Sequence, residues 1–176
     1  SLSPGGISRL VVKLTAPRAI AQGSIALTGA RIVTLDNKRV INSGTIVVKA
    51  GRITCVGSCS TSGVDKVVNA SGKTIIPGLI DAHAHGPYGV DEFTPQVNWA
   101  ETVNLALGVT TRHDPSSRSA LVFPALEMVR AGKIIGPRSF STGEIVYGAK
   151  NPHVYAQIDS KADALAHIRR LKAQGA

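Results

Sequence analysis

The chain has 176 residues, a formal net charge of +9, 43% hydrophobic residues and 4% aromatics. That apolar share excludes an intrinsically disordered chain and suffices for one ordinary domain, or for a small domain plus part of a larger one. The cations are scattered and no aromatics interleave with them as a stacking platform, so nucleic acid is not an expected partner.

Residues 1–23 read as a tail or a junction to an upstream domain. Ser1-Leu2-Ser3-Pro4-Gly5-Gly6 has no initiator Met and lacks the charged start and apolar core of a signal peptide. The native start is therefore expected upstream, and the compartment stays open between cytoplasm, periplasm and secretion. No run approaches the roughly 20 apolar residues of a membrane span, so no membrane partner is expected.

From residue 24 to 77 the pattern is β. Ile25-Ala26-Leu27 and the run 30–35 are short strand-like segments parted by Thr28-Gly29, and Asp36-Asn37-Lys38 is a turn. Arg39-Val40-Ile41, a second turn signal at Asn42-Ser43-Gly44, the β-branched run Thr45-Ile46-Val47-Val48-Lys49 and Arg52-Ile53-Thr54-Cys55-Val56 follow, then two shorter runs at 64–68 and 73–76. Closely spaced short strands with Gly-centred turns predict a small antiparallel β-sandwich. Cys55 and Cys59 are the only cysteines. Cys55 alternates with Ile53 and reads as a buried free thiol before half of a zinc finger or of a Cys55–Cys59 disulfide, a pairing open to the sequence but without geometric support from it.

The character changes at Pro77-Gly78. Leu79-Ile80-Asp81-Ala82-His83-Ala84-His85 reads as the end of a buried strand, and apolar spacing predicts a helix over 97–107, closed by Gly108. Val109-Thr110-Thr111 is a second strand, 119–131 a second helix, and 138–142 a third strand. A Gly/Asn/Pro-rich loop over 143–153 and a helix over 162–172 complete the chain. Strand and helix in alternation, three times over, predict a parallel α/β unit.

His83 and His85 are the chemical centre of the sequence. Two apart on a strand, both imidazoles face one side and can reach one metal ion, at the strand end where barrel active sites are built. An H-x-H pair is by itself a weak signal, and its surroundings carry more. Pro77-Gly78-Leu79-Ile80-Asp81-Ala82-His83-Ala84-His85 resembles the first-barrel-strand motif of the amidohydrolase superfamily. Gly44-Thr45-Ile46-Val47-Val48 and Gly51-Arg52-Ile53 resemble its sandwich strands. Gly108-Val109-Thr110-Thr111 with His113-Asp114 resembles its second barrel strand, and Gly136-Pro137-Arg138 with Ser141-Thr142-Gly143 its third. The nearest subgroup by this likeness is the imidazolonepropionase and prolidase-like enzymes. Some of these follow a TolB-like β-propeller, whose junction Thr15-Ala16-Pro17-Arg18 and Gly23-Ser24-Ile25-Ala26-Leu27 resemble.

The resemblance implies an α/β plus β fold. A small N-terminal β-sandwich (24–77) would precede the first three β/α units of an incomplete TIM-like barrel (78–176). It implies one or two divalent ions, zinc foremost, that polarise a carbonyl and activate water to hydrolyse C–N bonds of amides, cyclic amides or dipeptides. His83 and His85 carry over as metal ligands. The family's other ligands come from the fourth, fifth, sixth and eighth strands, and a full barrel takes about 250 residues. The expectation is thus an N-terminal fragment, inactive alone, of an enzyme for a small-molecule or dipeptide-like substrate. The rival expectation is a non-catalytic assembly module, pairing as a homo-oligomer or with a complementary chain that carries the rest of the barrel.

Weaker candidates surround the pair. Asp81 is either an acceptor holding an imidazole or part of a polar layer beneath the site. His113 follows the second strand and either faces substrate or does not, whereas Asp114, before Pro115, reads as a turn or cap residue. His153 sits in the long loop, solvated or reaching over the site. His167 reads as a surface residue of the third helix.

Overall fold

The computed structural model describes residues 12, 15, 17–89, 93–148 and 155–176. Its first part is one five-stranded mixed sheet. β1 (Ser24–Val33) pairs antiparallel with β2 (Val40–Lys49), which pairs antiparallel with β3 (Arg52–Gly57). On the other side β1 takes β4 (Lys66–Asn69) and the short β5 (Thr74–Ile75), both parallel to it. The sequence reading of two facing antiparallel layers is corrected here. Residues 24–77 form a single sheet, because the connections after Gly57 return the chain to β1 in its own direction.

Two expected breaks also disappear. Thr28-Gly29 lies inside β1 and Asn42-Ser43-Gly44 inside β2, as irregularities within continuous strands. Gly29 takes a positive φ of 74° at a register shift between Leu27 and Ala30, a bulge that bends the strand without ending it. Gly44 lies where an added Cβ would come within 2.8 Å of both the Ile32 and Ile41 side chains. These turn-forming residues serve packing. The sheet buries Ala30, Ile32, Ile46 and Ala70, with Leu27, Ile41 and Val56 packed around them.

The free-thiol reading of Cys55 is overturned. Cys55 and Cys59 form a disulfide, with Cα atoms 6.0 Å apart. A bulge between Val47 and Val48 interrupts the alternation of β3, so Ile53 is 65% exposed and Cys55 only half-buried, within reach of the turn at Cys59. The expected result is that Ellman's reagent finds no thiol in the unfolded, unreduced chain and two after reduction. Two thiols without reductant would refute the bridge.

The second part begins at β6 (Leu79–Asp81), followed by α1 (Trp99–Ala106), β7 (Val109–Asp114), α2 (Ser119–Arg130) and β8 (Arg138–Ser141). β6, β7 and β8 form a parallel sheet in that order, so α1 and α2 are crossover helices as the alternation predicted. The helix ends match their glycines: Gly108 and Gly132 adopt φ of 87° and 69°, the left-handed region open to a residue without Cβ. β6 is not a buried strand. Among the described residues it pairs with β7 alone, and its Leu79 and Ile80 are 50% and 71% exposed.

The loop expected over 143–153 contains β9 (Ile145–Tyr147), which pairs in parallel with β10 (Tyr155–Gln157), neither anticipated from sequence. α3 (Lys161–Gln174) closes the described chain. Ser160 caps it, its Oγ accepting the Asp163 N–H at 3.1 Å, and Gly175 ends it at φ 113°. A second core of Tyr88, Val122, Ala125 and Leu126 joins α2 to the segment after β6. Among the described residues no helix is long and apolar enough to cross a membrane.

Candidate functional site

β6 ends at Asp81, so both histidines lie in the segment beyond it. The Asp81 carboxylate accepts the His83 backbone N–H at 3.0 Å, a side-chain turn that bends the chain just past the strand. The Ala84 N–H then donates to the His113 carbonyl at 2.9 Å, tying the segment to β7 after the ladder has ended. Ala84 is buried by this tie, while His83 and His85 remain exposed. Their rings meet edge to face with centroids 5.1 Å apart. The two imidazoles thus converge through a turn rather than through strand alternation. The observed partner of Asp81 is the backbone, not an imidazole.

Behind His85 lies a residue whose place before Pro115 predicts a turn-former. Asp114, the last residue of β7, is wholly buried. Its Oδ1 lies 3.3 Å from His85 Nδ1 and accepts the Ser116 N–H at 2.9 Å, and its Oδ2 accepts the Tyr88 hydroxyl at 2.9 Å. The turn function is real, since Ser116 uses it, but the carboxylate also reaches a histidine from a desolvated position. Burial pushes the Tyr88 phenol well above its ordinary range, and its bond to Asp114 adds to the effect.

Arg112, two residues earlier on β7, extends this network inward. Its guanidinium lies 5.0 Å from the Tyr88 ring centroid, donates from Nε to Ser139 Oγ at 2.8 Å, and is ion-paired with Glu101 of α1. Asn98 sets Glu101 in place by capping α1, its Oδ1 accepting from the Ala100 and Glu101 N–H groups. Its Nδ2 also donates to the Pro87 carbonyl at 2.6 Å, so the start of α1 is fastened to the histidine-bearing segment. Gly86 leaves room for this, since a Cβ there would sit 3.1 Å from Arg112 Nη1. Burial raises the Glu101 carboxyl above its ordinary value, and the Arg112 charge opposes that shift.

The sequence offered some signal for this network. Arg112 and Asp114 are charged residues spaced by two in a strand, and Glu101 stands four residues from Val97 on the predicted helix. Which of them met which could not be read from spacing.

The other candidates lie elsewhere. The half-buried His113 lines a pocket with Phe123, Leu126, Phe140, Gly175 and Ala176, and gives the histidine segment only its carbonyl. His153 lies outside the described residues. His167 is half-buried in α3, with Arg170 Nη2 3.4 Å from its Nδ1. Among the described residues no group of three or more His, Cys, Asp or Glu side chains is arranged to hold a metal ion. The pair His83 and His85 offers imidazole donors of the kind such ions favour, two where a zinc site takes three or four protein ligands.

Relatives support the fold and its lineage. The chain is 30% identical over 155 residues to a dihydroorotase of Wolbachia sp. subsp. Drosophila simulans (strain wRi), covering 86% of this chain and 33% of that protein. An imidazolonepropionase of Staphylococcus aureus (strain Newman) is 40% identical over 57 residues, 31% of this chain and 14% of that protein. A solved structure from Bifidobacterium longum, provisionally named a prolidase, superposes with a TM-score of 0.70 at 27% identity, over 89% of this chain and 40% of its own. The chain belongs to the amidohydrolase superfamily. No family model matches it. The superfamily members it resembles differ in chemistry, so the likeness does not select a subfamily. The chain spans about a third of the length of the dihydroorotase it matches.

Proposed function

We propose that the chain is the front part of a metal-dependent amidohydrolase that cleaves C–N bonds. In this reading 24–77 is the N-terminal β portion and 78–176 the first part of the barrel. His83 and His85 are two ligands of a divalent ion, zinc foremost. The observation that carries the reading is the convergence of the two rings, centroids 5.1 Å apart, in the segment just past a parallel strand. When bound, the ion supplies Lewis-acid polarisation of a carbonyl and makes water a better nucleophile.

The chain's own residues hold and orient. Asp81 bends the segment so that His83 clears the strand, and the Ala84 tie to β7 keeps both rings on the accessible side. The other ligands and the group that moves protons come from further protein, because two imidazoles do not complete a tetrahedral site. This chain alone is therefore inactive. The substrate class is a small amide, cyclic amide or dipeptide. The names of the dihydroorotase, the imidazolonepropionase and the prolidase-named structure motivate that range.

Calorimetric titration of zinc into the chain tests the ligand assignment. The unmodified chain is expected to bind one ion, and His83→Ala with His85→Ala to abolish binding while the far-ultraviolet circular dichroism is unchanged. Undiminished zinc binding by the double variant would sink the reading.

A further inference from the structure

We infer that Asp114 is a positioning residue: it holds His85 as the Nδ1–H tautomer and so presents Nε2 as the ring's metal-binding nitrogen. The inference rests on the ligand role proposed for His85.

The acceptor count carries it. A carboxylate only accepts hydrogen bonds, and both oxygens of Asp114 already receive one, Oδ1 from the Ser116 N–H and Oδ2 from the Tyr88 hydroxyl. Neither neighbour asks Asp114 to donate. The His85 Nδ1 atom, 3.3 Å from Oδ1, satisfies that contact only by carrying a hydrogen itself. In a neutral imidazole this leaves the lone pair on Nε2, the nitrogen on the far side of the ring.

The anchor is enclosed where the histidine is not. The Asp114 side chain is 1% exposed and that of His85 55% exposed, so the buried partner sets the geometry and the exposed one follows. Tyr88 is kept from swinging away by the Arg112 guanidinium over its ring, and Arg112 is itself held by Ser139 and Glu101. A ligand ring hydrogen-bonded from behind by a carboxylate is more basic and better oriented. Losing such a partner typically costs about 10–100-fold in metal affinity.

Long-range ¹H–¹⁵N spectra of the histidine-labelled chain, above the pH at which imidazole protonates, read the tautomer directly without metal. The expected result is His85 as Nδ1–H in the unmodified chain and as mainly Nε2–H in Asp114→Ala. Asp114→Asn restores Nδ1–H, because the carboxamide oxygen still accepts. Zinc affinity should fall about 10–100-fold in Asp114→Ala and less in Asp114→Asn. An Nε2–H form in the unmodified chain overturns the inference even if Asp114→Ala fails to fold, and so does an unchanged tautomer in a folded Asp114→Ala. The ligand reading fails separately, through the His83→Ala, His85→Ala titration, whatever the tautomer.

Discussion

Glu101→Leu is expected to destabilise the chain by about 3–5 kcal/mol, seen as a lower urea midpoint with an unchanged slope. The pair it breaks is almost wholly enclosed, with side-chain exposure of 4% for Glu101 and 2% for Arg112. Removing the carboxylate leaves a guanidinium that cannot shed its charge, with Ser139 Oγ as its remaining hydrogen-bond acceptor among the described residues. The cost is that of a stranded charge, not of a lost attraction. Glu101 Oε2 is itself buried without a partner among the described residues, and burial outweighs Arg112 in setting its titration. The pair as it stands is thus only partly compensated. Glu101→Leu combined with Arg112→Met should recover most of the loss, since apolar groups of similar volume need no compensation. A double variant as unstable as the single one would mean that the damage is steric. Because Arg112 supports Tyr88, the recovered double variant should still show weakened ordering at Asp114 and His85.

Gly78→Ala should cost at the upper end of about 1–3 kcal/mol, through overpacking. Gly78 lies against β7, where an added Cβ would fall 2.0 Å from Thr110 Oγ1, 2.4 Å from its Cγ2 and 2.7 Å from its Cβ. Rotating Thr110 moves the first two atoms but not the third, so one backbone must shift. The next residue, Leu79, donates its N–H to the Gly108 carbonyl at 2.8 Å, and that bond is the first to be strained. A displaced β6 also carries Asp81 and the histidine turn with it, so the zinc binding proposed for His83 and His85 should weaken alongside stability. Thr110→Gly in the same chain should largely cancel the effect of Gly78→Ala, and Thr110→Ala should cancel it only in part, because the Cβ contact survives. A double-mutant cycle checks this. Additive losses would show that the clash is relieved elsewhere.

The elements of the second part were legible in the sequence because their punctuation is local. Gly108, Gly132 and Gly175 all adopt positive φ directly after a helix, and apolar spacing between them marks α1, α2 and α3. The β segments were legible as well, but their layering was not. Thr28-Gly29 and Asn42-Ser43-Gly44 carry turn chemistry, and only pairing with neighbouring strands turned these residues into interior irregularities of β1 and β2. The same holds for Cys55, whose face depends on a bulge that pattern alone does not reveal.

By itself the sequence determined the β-then-α/β order, the glycine-closed helices and the nearness of His83 to His85, since two residues in one short segment cannot be far apart. The tertiary structure alone decided what stands behind them. Asp114, Tyr88, Arg112 and Glu101 come from a strand end, a loop, a strand interior and a helix. Their contacts span 11 to 29 positions in the chain. Burial of charge depends on which distant groups arrive to compensate it, and that is a property of packing, which no local pattern records.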